Sequence, residues 1–214
     1  LPPVSANDVL VLAVKPQDMQ AACEHVQTNG ALVLSVAAGL SIETLSCYLQ
    51  GNRRMVRTMP NLPSQIGLGI TGMYAAEEAG EADKQTADAI MRAVGQTVWL
   101  DEEAQMHAIT GISGSGSGYV FYLLNALQQA ALAQGFNTEQ ARSLTLATFK
   151  GAVELAEQSG ASFEDLRRSV MSKGGTTIEA YHVFDKHGVT ESIAEGVEAC
   201  VARSQEISQQ FEAV

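Results

Sequence analysis

The chain has 214 residues, 46% of them hydrophobic and 17% charged, with a formal net charge of −11. Such a composition describes a globular protein of one or two domains with a real core and excludes disorder as its main theme. The negative balance argues against nucleic acid or an anionic membrane as the main partner, and no apolar run approaches the roughly 18 residues a membrane span needs.

Val9 to Val14 ("VLVLAV") is short and uniformly apolar, and Lys15-Pro16 follows, with proline suited to a first helical turn. This reads as a buried strand feeding a helix. The pattern predicts a helix over Gln17 to Gln27, a strand at Leu32 to Val36, and a helix from a Ser41 cap to Leu49. Strands follow at Met55 to Thr58 and Leu68 to Tyr74, then a helix from Ala79 to Val94 and a strand at Thr97 to Leu100. Alternation of apolar strands with helices implies a largely parallel sheet covered by helices.

From Asp101 the strand signal stops, which places a domain boundary there: 1–101 as an α/β domain and 102–214 as an all-helical one. "YVFYLLNALQQAALA" from Tyr119 is apolar almost all round, so protein is expected on every side of it. Asn137 with Gln140, Ser162 with Asp165, and Thr176 with Glu179 each read as a capping box opening a helix, the last near Thr177. The final helix carries Ile193, Val197, Cys200, Val201, Ser204, Ile207 and Phe211 on one stripe. The apolar load of these helices suggests dimerisation.

The chemistry-bearing features are sparse. Cys23, Cys47 and Cys200 lie far apart in no C-x-x-C spacing and read as reduced packing residues of an intracellular protein. His25, His107, His182 and His187 show no ligand spacing, and no metal site is expected. "SGSGSG", Ser113 to Gly118, follows a helical pattern and not a strand, so close packing at a helix start explains it better than a phosphate cradle. Glu102 and Glu103 are read as dipole-favoured carboxylates at a helix start. "VKP", "VAAG" and "RTMPNLPSQIGLG" give three turns at successive strand ends, the place where α/β sheets form a cofactor crevice. In "SKGGTTIEA", Ser172 to Ala180, two glycines precede a helix whose first amides, with Lys173, make a seat for a carboxylate or phosphate. A helix cap with no ligand is the competing reading of that stretch.

In order, "LAVKPQ", "SVAAGLSIETL", "RTMPNLP", "GLG", "AITGISGSGSGYVFY", "ALAQGF" and "LRRSVMSKGGTT" resemble pyrroline-5-carboxylate reductase, across nearly all of the chain. The resemblance implies a Rossmann-like NAD(P)-binding domain followed by an all-α dimerisation domain. Members of that family begin with a strand and a G-x-G-x-x-G loop, which this sequence lacks, so the chain is expected to be N-terminally incomplete. The implied activity is reduction of 1-pyrroline-5-carboxylate to L-proline with NADPH or NADH, in the cytoplasm, by a homodimer or a ring of dimers.

By the same resemblance, Val14, Lys15, Pro16, Ala37, Ala38 and Gly39 would line the cofactor, and Met59, Pro60 and Asn61 would flank its reactive end. Gly174, Gly175, Thr176 and Thr177 would hold the substrate carboxylate, with the Thr177 hydroxyl facing the imine nitrogen. Glu103 matches a family acid near the substrate amine. The sequence departs from the family pattern at Lys173, Ser117 and Leu62, where proline, proline and threonine are usual. Two other readings stand beside the reductase: a two-domain dehydrogenase acting on a hydroxy acid, and a non-catalytic helical assembly module. The first normally needs a lysine or histidine acid/base, and no residue here is compellingly placed for that role.

Overall fold

In the computed structural model, which describes residues 4–172 and 174–211, five strands lie side by side in chain order. They are β1 (Val9–Leu12), β2 (Leu32–Ser35), β3 (Met55–Met59), β4 (Gly69–Ala75) and β5 (Gly95–Trp99). Helix α1 (Pro16–Cys23) joins β1 to β2, α2 (Ile42–Tyr48) joins β2 to β3, and α3 (Glu81–Arg92) joins β4 to β5. Each of these three pairs is parallel, as a helical crossover requires. Between β3 and β4 the chain makes only a 3-10 turn, Leu62–Ile66, and that pair is antiparallel. The largely parallel sheet expected from the sequence is therefore present, with its one reversal at the proline-rich loop.

Strand β2 is buried along its whole length, and its alternate residues enter different clusters. Val33 packs with Leu10, Leu12, Met55 and with Met19, Cys23 and Leu45 of α1 and α2. Leu32 and Leu34 pack with Val56 and Met73 and with Ala87 and Met91 of α3. One face of the sheet is thus covered by α1 and α2 and the other by α3. Truncating a fully buried leucine such as Leu34 to alanine costs about 2–5 kcal/mol at sites of this kind.

Helix α1 stops at Cys23, short of the expected Gln27, and α3 runs within the expected span. After β5 come α4 (Gln105–Ile109), a π-helical turn at Thr110–Gly114, and then α5 (Gly116–Ala133), α6 (Thr138–Ser159), α7 (Phe163–Ser169), α8 (Thr176–Lys186) and α9 (Val189–Gln209). The chain divides into two compact units, Leu1–Ser117 with Val197–Val214, and Gly118–Gly196. In the first, the C-terminal half of α9 returns to the sheet. A Cβ on Gly111 would meet Val201 Cγ2 at 2.7 Å, and His107 Nδ1 lies 2.9 Å from Ser204 Oγ. Phe211 packs against the core of α1 and α2. The expected stripe holds over this half, while Ile193, in the other unit, is exposed.

The second unit is helical. Asn137 caps α6 with both bonds of a capping box: Asn137 Oδ1 accepts from the Gln140 N–H, and Gln140 Oε1 accepts from the Asn137 N–H. Ser162 caps α7 by accepting from the Asp165 N–H, but its hydroxyl, not its amide, reaches the Asp165 carboxylate at 2.6 Å. Helix α5 has no buried residue within the single chain, and Phe121 and Tyr122 are 54% and 75% exposed. The protein expected on every side of it is absent from the lone chain. A helix this apolar all round needs a covering surface. Among the described residues no helix is long and apolar enough to cross a membrane.

Candidate functional site

The C-terminal ends of β1, β2 and β3 lie side by side, so the turns that follow them share one edge of the sheet. After β1, Val14 and Lys15 are exposed and Pro16 opens α1. After β2, Ala37 and Gly39 are buried and Ala38 half-buried, and Gly39 takes φ +76°, a left-handed conformation that favours glycine. The β2 end is tied to its neighbour: Thr58 Oγ1 donates to Ser35 O at 3.0 Å, and the Ala37 N–H donates to Ser35 Oγ at 3.3 Å. At the end of β3, Met59 and the following Pro60 and Asn61 are half-buried, and Asn61 Oδ1 accepts from the Ile70 N–H at 3.0 Å. The structure therefore gathers all nine sequence-expected cofactor residues on one edge of one unit. Ala37 to Gly39 project nothing past Cβ there, and strand-end turns of small residues on a parallel sheet are where such folds place a dinucleotide.

Glu103 belongs to the same unit but not to a helix, since α4 begins at Gln105. The reading of Glu103 as a dipole-favoured residue of its own helix start is corrected by two bonds. Its Oε1 accepts from Arg57 Nη1 at 2.7 Å and from the Ile42 N–H, the first amide of α2, at 2.7 Å. The carboxylate serves the start of a different helix. Arg57, a residue sequence reasoning did not single out, is on β3 with its side chain only 5% exposed. The available signal was a charged residue inside the apolar run "MVRTM".

The other group of sequence-expected site residues is in the helical unit. Gly174 takes φ +75°, and the Gly175 N–H donates to Ser172 O at 2.8 Å. A Cβ on Gly175 would collide with Ser172 Oγ and lie 3.0 Å from Ser172 O, so any larger residue here would have to displace the Ser172 side chain. Gly175, not Thr176, is the N-cap of α8, and no side chain caps it. The expected Thr176–Glu179 capping box does not form. With the cap one residue earlier, Thr176 is already helical, and Glu179 lies 3.8 Å from His182 Nδ1 instead. Among the described residues no side chain partners the first amides of α8, at the positive end of an 11-residue helix, which suits an anion. Thr177 is half-buried in this turn, and Lys173 lies outside the described residues.

The glycine-rich stretch before α5 is only partly explained by packing. A Cβ on Gly114 would meet Met59 Cε at 2.9 Å, whereas at Gly116 and Gly118 it would meet nothing within 4 Å. The close-packing expectation holds for Gly114, and at the other two the surroundings in the single chain are open.

A largely parallel sheet with three adjacent strand-end turns, next in the chain to an all-helical unit, defines the class: an oxidoreductase of Rossmann-like fold. Residues 103–207 match the family described as pyrroline-5-carboxylate reductase dimerisation. The chain is 38% identical over 208 residues to pyrroline-5-carboxylate reductase of Vibrio alginolyticus, covering 95% of this chain and 76% of that protein. A solved pyrroline-5-carboxylate reductase from Coxiella burnetii superposes with a TM-score of 0.85 at 37% identity, covering 94% of this chain and 76% of that one. The Plasmodium falciparum pyrroline carboxylate reductase, solved with NADP bound, gives a TM-score of 0.87 at 27% identity over 94% of this chain and 77% of that one. The chain belongs to the pyrroline-5-carboxylate reductase family.

Proposed function

We infer that the chain is an NAD(P)H-dependent oxidoreductase that reduces 1-pyrroline-5-carboxylate to L-proline, the last step of proline biosynthesis. The observation that carries this reading is the 38% identity to a reductase across 95% of the chain, with the strand-end turns and the α8 start both inside the match. The α/β part, 1–101, holds the cofactor along Val14 to Pro16, Ala37 to Gly39 and Met59 to Asn61. The helical part, 102–214, dimerises and binds substrate. NADPH, or NADH, supplies when bound the hydride that reduces the C=N bond.

The chain's own work is orientation and charge, the protein's usual share in a cofactor reaction. The Thr176 and Thr177 amides receive the substrate carboxylate. The Gly175 N–H is already given to Ser172 O, so Gly174 and Gly175 contribute shape to this seat. The imine nitrogen takes a proton from solvent water, the Thr177 hydroxyl oxygen accepts from the resulting N–H and so favours the protonated imine, and after hydride adds to carbon that proton remains on the product amine. Glu103 carries both of its hydrogen bonds on Oε1, and Oε2 is the oxygen proposed to face the substrate amine. The exposed apolar faces of α5 and α6 are covered by a second copy, and dimers assemble further into a ring, in the cytoplasm.

The test is NADPH oxidation by the purified chain with pyrroline-5-carboxylate, beside Thr177→Ala. Loss of one oriented hydrogen bond at the reacting nitrogen lowers kcat by roughly 10–100-fold. A Thr177→Ala enzyme that turns over like wild type removes the hydroxyl from the mechanism. A folded, dimeric wild type with no turnover on either nucleotide, both by itself and with a family-type G-x-G-x-x-G segment fused in front, removes the reductase reading. Sedimentation velocity decides between a dimer and a ring.

A further inference from the structure

We propose that Arg57 is a positioning residue for the cofactor crevice, acting through Glu103. This rests on the reading of Ala37–Gly39 and Met59–Asn61 as cofactor turns.

A strand residue whose side chain is 5% exposed is ordinarily aliphatic, because removing a guanidinium from water costs several kcal/mol unless its donors are satisfied. Arg57 is poorly satisfied: Nη1 meets Glu103 Oε1 at 2.7 Å, and its buried Nε has no hydrogen-bond partner among the described residues. Packing of the sheet gains nothing from this arrangement that a leucine would not give. Its effect lies in what the carboxylate joins. The oxygen that takes the Arg57 bond also takes the Ile42 N–H at 2.7 Å. Ile42 stands three residues after Gly39, and Arg57 stands two residues before Met59. One oxygen on the turn after β5 thereby fixes the spacing between the β2 turn and the β3 end. Charge-assisted bonds of this length are strong and directional, so the two turns are held at one separation. A dinucleotide spanning both binds best when that separation is set beforehand.

The experiment measures the Kd of NADPH by the fluorescence of its reduced nicotinamide, without substrate, for wild type, Arg57→Met, Arg57→Lys, Glu103→Ala and the Arg57→Met/Glu103→Ala double variant. Thermal unfolding is recorded on each. Loss of a charge-assisted bond predicts a Kd raised about tenfold in Arg57→Met and in Glu103→Ala. The double variant is no weaker than either, because both singles break the same tie. Arg57→Lys, which keeps a donor for Oε1, stays within about threefold of wild type. If Arg57→Met does not fold, Glu103→Ala and Arg57→Lys carry the test. A Tm that falls while the Kd stays at the wild-type value, or additive losses in the double variant, overturns the proposal. A wild type that does not bind NADPH overturns the cofactor reading itself, and the proposal with it.

Discussion

Replacing Gly39 with alanine perturbs two separable things at once. The residue sits at φ +76°, where a side chain is disfavoured by about 1–2 kcal/mol. Its Cβ would also come within 2.8 Å of Ile207 Cγ2 and 3.6 Å of the Ser208 backbone nitrogen, on the last turns of α9. Overpacking of this degree costs about 1–3 kcal/mol when the neighbour cannot step aside. Together the two amount to about 2–5 kcal/mol, a large part of the roughly 5–15 kcal/mol that stabilises an ordinary domain. Urea unfolding at one fixed protein concentration, necessary for an associating protein, measures the loss. Ile207→Ala in the same chain removes Cγ2 and so returns the steric part, leaving the backbone part. The Gly39→Ala/Ile207→Ala pair is therefore less destabilised than the two single losses combined, by about 1–3 kcal/mol. A Gly39→Ala chain within about 0.5 kcal/mol of wild type, or strict additivity in the pair, refutes the contact between α9 and the β2 turn.

Other outcomes follow from the same coordinates. Gly114→Ala pushes on the flexible end of Met59, so stability falls by less than about 1 kcal/mol while the Kd for NADPH, read by titration, rises several-fold. Arg54 grips Asp83 with two bonds, at 2.7 and 2.9 Å, and holds its carboxyl below the usual carboxylate range. Because the folded value is depressed, this stability is present above about pH 4, the unfolded value, and is lost as pH falls through the folded one; Asp83→Asn flattens that acid limb in a pH series of melts. Phe121→Asp places a charge on the exposed apolar face of α5 and raises the dimer dissociation constant at least tenfold by sedimentation equilibrium. Asn137→Ala removes the cap of α6 and costs about 1 kcal/mol by urea unfolding.

Periodicity and turn chemistry were enough to place the five strands, the helices between them and the strand-end turns. These depend on neighbours in the chain: continuous apolar runs, proline at a first helical turn, Ser41 and Asn137 at caps. The ordered motifs were enough to place the chain in its family, because they run the length of the sequence. Which residues meet across the fold was decided by tertiary structure. Nothing local says that Glu103 accepts from an amide 61 residues earlier, or that Arg57 is buried against it. The capping box at Thr176 failed for a related reason: the sequence permits Gly175 or Thr176 as cap, and the Ser172–Gly175 turn chose between them. The return of α9 to the sheet likewise sets Gly39 against Ile207, although 168 positions separate them. Short-range patterns fix elements because hydrogen bonding and hydrophobic period act over a few residues. Contacts between distant residues depend on how the elements pack, and only the folded chain sets them.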